Sequence, residues 1–377
     1  MMEKIKREMK ILRAGFPVLI FIFLLFGTAA VAAENIPDKS YRSFSPLPIL
    51  MYDNDIGFGY GGKVKFVDYL KKKESFDLIL FNSSKGERWY VFTFSIPDFE
   101  IRQGRTYPLS FDLKLEYDKF LKYNFYGFGP DSSKDDRTVL THETVNLAVT
   151  VGRGFSPSFV VEATYTARWL TYSNPQEGPY LPLIEELAGR GRMFVPYATL
   201  LMRYDTSNSQ IHPTRGVRII VKDDLAARFL GSADYSFNRL TADFRFYRTI
   251  FGERDVLAGR ALVQYVSGRN IPIFDHAALG GGETMAAMRG YPMNRFLDKG
   301  KFLVNVEYRF PIVWRLGGNI FADAGTVWPG LGEVRLGRAV YDAGVGLRFY
   351  QHDFCARVDV GFSREGVGLY FNFGHLF

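Results

Sequence analysis

Arg289, Glu307 and Asp323 are the residues whose types and spacing point to a defined chemistry in this 377-residue chain. A guanidinium presents a planar fork of donors, and carboxylates placed to receive it form bidentate, charge-assisted hydrogen bonds. Such chemistry is non-covalent: it holds one segment of chain against another. Arg289 lies in a stretch near 268–299 that shows no periodic pattern, whereas Glu307 and Asp323 fall in the alternating segments that follow it. The stretch carries Leu279-Gly280-Gly281-Gly282-Glu283 and Met288-Arg289-Gly290-Tyr291-Pro292, with Phe274, Phe296 and Leu297 around them. Loops of that length are usually functional or disordered. Here the apolar residues ask for burial and the glycines permit tight reversal, so the segment is expected to fold inward rather than stand in solvent.

Other chemistries have weaker support. The five histidines, His142, His212, His276, His352 and His375, show no metal-ligand spacing. The single Cys355 excludes an intramolecular disulfide and a zinc cluster built on cysteines. Ser267 and Ser363 have no evident base for nucleophilic catalysis. Gly152-Arg153-Gly154 and Gly280–Gly282 lack the strand-to-helix context of a phosphate loop. No enzyme activity, catalytic residue, metal or cofactor is expected. The formal net charge is +7, but basic and acidic residues are interleaved along the chain, which argues against a nucleic-acid partner.

The elements that position the three residues read as strands. In 109–118, Leu109, Phe111, Leu113, Leu115 and Tyr117 alternate with Ser110, Asp112, Lys114, Glu116 and Asp118. The same period of two runs through 144–151, 301–310 and 356–362. Mean hydropathy is −0.07, and beyond residue 30 no run of about 18 apolar residues marks a spanning helix. The alternating segments run about 8 to 15 residues, against about 9 to 11 for a transmembrane β-strand, and many carry aromatics near their ends.

Residues 1–33 have the form of a signal peptide. Lys4, Lys6, Arg7, Lys10 and Arg13 precede the apolar Phe16–Phe26, and Ala30-Val31-Ala32 or Val31-Ala32-Ala33 offers a cleavage site. An exported, cysteine-poor chain of long alternating strands is expected to be all-β: a transmembrane antiparallel β-barrel of about 16 strands, apolar outside and polar inside. The expected organisation is a signal peptide at 1–33, a short periplasmic segment at 34–45, and an outer-membrane barrel at 46–377. With the chain starting on the periplasmic side, the periplasmic turns are short. The long connections, near 119–137, 173–191, 223–233, 268–299 and 328–338, all fall on the other side. Lys71-Lys72-Lys73 reads as a solvated periplasmic turn.

Alternation places Glu307 on the lumen face, and likewise Phe321, Asp323 and Gly325. On this pattern Arg289 either bridges the two carboxylates or is one of many lumen charges, and both readings stay open. The last strand is expected near 366–377, with His375 on the lipid side.

Met288-Arg289-Gly290-Tyr291 resembles the V-R-G-[FY] signature of the BamA/TamA-type outer-membrane insertase superfamily, the bacterial surface antigen family. Phe321-Ala322-Asp323-Ala324-Gly325 is similar to its F-x-D-x-G strand motif. Asn305-Val306-Glu307-Tyr308-Arg309-Phe310-Pro311 resembles its N-x-E-[YF]-[RQ]-[FI]-P segment. Arg203-Tyr204-Asp205-Thr206 with Pro213-Thr214-Arg215-Gly216 resembles its R-D-T…P-T-x-G turn. The resemblance implies a sixteen-stranded barrel whose sixth extracellular loop enters the lumen. Arg289, Gly290 and Tyr291 would form the loop tip, and Glu307, Phe321, Asp323 and Gly325 its receptor. Phe373 and Phe377 would serve as the C-terminal barrel signal. Met288 departs from the usual Val, and the periplasmic POTRA domains of many members have no counterpart in this sequence.

The function this implies is assistance in insertion, assembly or translocation of protein through a seam between the first and last strands. The rivals are a passive or ion-selective channel, tuned by inward charges such as Asp243, Arg245, Arg357 and Asp359, and a scaffold for a periplasmic partner. The partners expected are outer-membrane lipids, client outer-membrane or secreted proteins, and a separately encoded periplasmic partner or lipoprotein.

Overall fold

The computed structural model describes residues 40–53, 57–252, 254–334, 336–351 and 355–377. The signal peptide expected at 1–33, much of the segment expected at 34–45, and His352 lie outside the described residues.

Among the described residues sixteen strands close into one antiparallel barrel, and the two-residue strand Met193–Phe194 pairs with Trp169 and Leu170 at its rim. The sixteen are β1 (Ser43–Asp53), β2 (Gly57–Val67), β3 (Ser75–Ser83), β4 (Arg88–Ile96), β5 (Tyr107–Phe125), β6 (Thr138–Ser156), β7 (Phe159–Ser173) and β8 (Tyr197–Asp205). There follow β9 (Gly216–Ala226), β10 (Ser236–Thr249), β11 (Val256–Arg269), β12 (Gly300–Val313), β13 (Leu316–Trp328), β14 (Val340–Tyr350), β15 (Cys355–Ser363) and β16 (Gly366–Phe373). Each pairs with its neighbours in sequence, and β16 returns to β1. A short α1 (Phe99–Arg102) lies between β4 and β5, and α2 (Leu181–Gly189) between β7 and β8. Among the described residues no helix is long and apolar enough to cross a membrane.

The barrel inverts the usual distribution of side chains. Large apolar residues face outward and exposed, among them Leu80, Leu115, Leu240, Ile320, Val345 and Val367. The largest fully buried side chains include Arg260, Arg289, Arg309 and Arg348. A soluble protein seldom buries arginines while exposing rows of aliphatics. A barrel in lipid does so because its strands alternate apolar-out and polar-in. Near the β2–β3 turn, Phe44, Phe66 and Tyr69 form a chain of ring contacts at 5.0 and 5.7 Å. Phe76, Phe94 and Phe111 form another at 5.2 and 6.4 Å. Aromatics at this height form an interfacial girdle.

The two seam strands are joined unequally. β1 pairs with β2 from Ser43↔Val67 to Asp53↔Gly57, and β15 pairs with β16 from Ala356↔Phe373 to Ser363↔Gly366. Between β1 and β16, by contrast, the described residues pair only at Tyr52↔Phe371 and Asp53↔Tyr370. Pro46 and Pro48 lie in the unpaired length of β1. Proline cannot donate to a ladder, so it is accommodated on a strand edge.

The last strand corrects the expectation from alternation. β16 ends at Phe373, and Gly374, at φ +79°, turns the chain away from the barrel wall. Leu376 and Phe377 are buried with Tyr247, Val256, Ala258 and Ala287. His375 lies beside Tyr350 and His212, inside the barrel rather than on its lipid face. The period of two holds only while the backbone stays extended, and the left-handed residue ends it.

At the opposite end the barrel is capped. Phe125, Leu140, Leu170, Ile184, Phe237, Ile273 and Leu297 form one buried cluster. It joins strand ends to α2 and to the connection between β11 and β12.

Candidate functional site: a loop docked inside the barrel

The connection between β11 and β12, residues 270–299, is the sixth on its side of the barrel, and it enters the lumen. Ala277–Leu279 and Phe296–Asp298 pair as a small hairpin at its base. Leu279, Met288, Tyr291 and Phe296 pack against Leu262, Leu303, Val327 and Val340 of the wall, which supplies the burial that the apolar loop residues require. Polar contacts fix the rest. Lys301 Nζ donates to the Met285 carbonyl at 2.6 Å, Arg260 donates to the Thr284 carbonyl, and Asn124 donates to the Met293 carbonyl at 3.3 Å.

Arg289 is at the tip and fully buried. Its Nε and Nη2 donate to the two oxygens of Asp323, each at 2.9 Å, as a bidentate fork. Its Nη1 donates to Glu307 Oε1 at 2.5 Å and to Asp359 Oδ2 at 3.5 Å. The Phe321 ring centroid lies 3.4 Å from the guanidinium carbon, a cation–π contact. The wall places these groups by register: Asn305 pairs with Asp323 and Glu307 with Phe321 across β12 and β13. Asn305 Nδ2 bridges Asp323, at 2.8 Å, and the loop carbonyl of Ala287, at 2.9 Å.

The carboxylates are shared. Arg309 donates to Glu307 at 2.8 Å, and Arg348 to Asp359 at 2.7 Å. Arg357 lies 3.5 Å from Asp359 and donates to the Gly282 carbonyl at 3.2 Å. A buried charge is tolerable only when paired and hydrogen-bonded, and the alternation of sign in this cluster meets that condition.

The backbone at the tip also touches the wall. A Cβ added at Gly361 would lie 2.5 Å from the Arg289 carbonyl oxygen, and one at Gly368 would lie 2.2 Å from it. Only glycine at these two wall positions permits the approach. Ser363 Oγ donates to the Gly290 carbonyl at 2.6 Å, and Tyr370 OH to the Tyr291 carbonyl at 3.3 Å. The tip therefore rests on β15 and β16 as well as on β12 and β13.

The structure brings Arg289, Gly290, Tyr291, Glu307, Phe321 and Asp323 into one contact. Gly325 lies next to it, facing Leu279 and Met288. Phe373 ends β16 beside Phe371, ring centroids 5.9 Å apart, whereas Phe377 lies apart, inside the lumen, with its main-chain oxygen accepting from Arg309 at 3.2 Å. Asp205, in the turn motif after β8, accepts from Arg218 at 2.8 Å. Sequence reasoning did not assign Arg309, Arg348, Arg357 and Asp359 to this cluster. Alternation placed Arg357 and Asp359 on the lumen face, but the partners come from strands that meet only when the barrel closes.

A closed sixteen-stranded barrel with apolar exterior and a loop docked on its inner wall defines an integral outer-membrane β-barrel protein. Residues 78–377 match the Omp85 superfamily domain, and the chain belongs to that superfamily. Its fold is similar to that of BamA from Haemophilus ducreyi lacking POTRA domains 1–3. There the TM-score is 0.65 at 12% identity, over 89% of this chain and 71% of that one. It is also similar to CdiB from Acinetobacter baumannii (TM-score 0.56, 12% identity, 88% of this chain and 59% of that one). For CdiB from Escherichia coli the values are 0.61, 10%, 89% and 63%. This chain thus spans less than two thirds of the length of either CdiB chain. At these identities the likeness is one of fold. No curated protein sequence matches the chain.

Proposed function

We propose that this protein assists the insertion, assembly or translocation of other proteins at the outer membrane, using the β1–β16 seam and no covalent chemistry. One observation carries the reading: the seam is held by Tyr52↔Phe371 and Asp53↔Tyr370, while both seam strands are fully paired on their other sides. Unsatisfied backbone groups in hydrocarbon are costly, so the free length of β1 favours a strand that can pair with it, by β-augmentation. Pro46 and Pro48 remove donors from β1, which limits such pairing and favours release. The docked loop, held through Arg289, Glu307 and Asp323, braces the wall while the seam opens. Clients are outer-membrane or secreted strands, and a separately encoded periplasmic protein or lipoprotein delivers them.

The filled lumen weighs against a permanent channel. The loop occupies its middle and the apolar cluster closes one end.

A disulfide across the seam tests the reading. Tyr52→Cys with Phe371→Cys places two thiols at a paired position. Oxidation is expected to stop client assembly and reduction to restore it, with the barrel folded in both states. Full client assembly by the oxidised protein would overturn the proposal.

A further inference from the structure

Barrel closure gathers two of the scattered histidines around the single cysteine. His212 projects from the turn between β8 and β9, Cys355 opens β15, and His375 lies on the tail after β16. Ligand-capable atoms of the three, one from each, all lie within 4.8 Å of one another. One side chain is already arranged as metal ligands usually are. His212 Nε2 lies 2.9 Å from the Gln351 carbonyl oxygen, so a proton on Nε2 donates there and leaves Nδ1 as a bare lone pair. Among the described residues that buried Nδ1 has no partner, nor does Nδ1 of His375. Ligating histidines characteristically donate their other nitrogen to a carbonyl or carboxylate, which fixes tautomer and ring direction.

A buried polar atom left unsatisfied is costly, and here two belong to imidazoles gathered around a buried thiol. The charged groups beside His375 include the guanidiniums of Arg309 and Arg348. Those two arginines are neutralised by Glu307 at 2.8 Å and Asp359 at 2.7 Å. The Tyr350 ring flanks both imidazoles, at 5.3 and 5.8 Å.

We propose that His212, Cys355 and His375 form a binding site for a zinc-like divalent transition metal, with two imidazoles and one thiolate as protein ligands and a water in the fourth position. Nitrogen and sulfur donors select zinc, cobalt or copper over magnesium and calcium, which require oxygen. Tetrahedral zinc, with Zn–N near 2.0–2.1 Å and Zn–S near 2.3 Å, needs donors about 3.3–3.6 Å apart. Side-chain rotation closes the remaining distance. Binding converts the Cys355 thiol to thiolate and releases its proton to solvent.

The metal ties three distant segments together at the mouth of the barrel where the chain ends. It fixes the residues after Phe373 inside the lumen, and so keeps them from extending β16 along the free length of β1. That consequence rests on the seam reading above. The site itself does not.

Cobalt spectroscopy on the full barrel, purified in detergent and stripped with chelator, tests the site without reference to client assembly. One Co2+ per chain is expected, with tetrahedral ligand-field bands and a thiolate-to-cobalt charge-transfer band, all displaced by Zn2+. Cys355→Ser is expected to remove the charge-transfer band, and His375→Gln to weaken binding at least about tenfold, the scale reported even for groups outside the ligand set. Zn2+ should also slow alkylation of Cys355 in the unmodified protein. An octahedral spectrum without charge transfer in the folded, unmodified barrel would overturn the proposal, and so would alkylation unaffected by Zn2+.

Discussion

Arg289 and Asp323 meet through two parallel N–H···O bonds of 2.9 Å, with both side chains removed from water. The pair joins the tip of a long loop to the inner face of β13, and Glu307 and Asp359 complete the anionic side of the contact. Taking one partner away leaves an uncompensated buried charge, which costs more than the intact pair contributes.

Arg289→Ala is therefore expected to destabilise the barrel by about 3–5 kcal/mol. The measurement is the temperature at which the folded, fast-migrating gel form is lost. Arg289→Lys should fall between the parent and Arg289→Ala, because an ammonium keeps the charge but cannot form the fork.

The contact should also act as a unit. In a double-mutant cycle of Arg289→Ala and Asp323→Ala, the combined loss should be smaller than the sum by about 0.5–3 kcal/mol. Additive losses would show that the two side chains contribute independently.

A wall substitution tests docking without touching the ion pairs. Gly368→Ala places a carbon 2.2 Å from the Arg289 carbonyl oxygen, a main-chain atom that cannot rotate away. The loop tip is expected to leave the wall, seen as faster labelling of a cysteine introduced at Tyr291 and as larger conductance in planar bilayers.

The base of the loop predicts a pH dependence. Burial pushes the Asp275 carboxyl up, but Arg168 and Arg239 outweigh it and hold the group below its usual range. A depressed carboxylate contributes stability above its unfolded value, about 3.9, and loses it as pH falls through the folded value. The Asp275 contribution to loop protection should therefore be lost below about pH 4, read as a rise in proteolysis within 270–299.

How much of this was legible in the sequence depends on how local the cause is. Alternation along one strand put Glu307, Phe321, Asp323 and Gly325 on the lumen side, and the length and composition of 268–299 marked the loop that carries Arg289. Arg348 and Arg309 were not legible as partners, because strand tilt and closure decide which lumen side chains meet, and neither shows in a single strand's pattern. Nothing in the local sequence sets Gly361 and Gly368 apart from other strand glycines; their role is visible only once the loop backbone lies against them. His375 was assigned to the lipid face by extending the period of two past Gly374, where the positive φ ends the strand. The meeting of His212, Cys355 and His375 joins residues from three parts of the chain, and no local spacing could announce it.

The central claim is that the seam exchanges strands with a client. In-cell photo-cross-linking from Leu50 on β1 and Phe373 on β16 tests it most directly. Leu50 is 47% exposed on the outer face, and Phe373 ends the partner strand. Adducts with nascent barrel proteins or a secreted chain are the expected result. Only intramolecular links between the two strands, under every growth condition, would contradict the account.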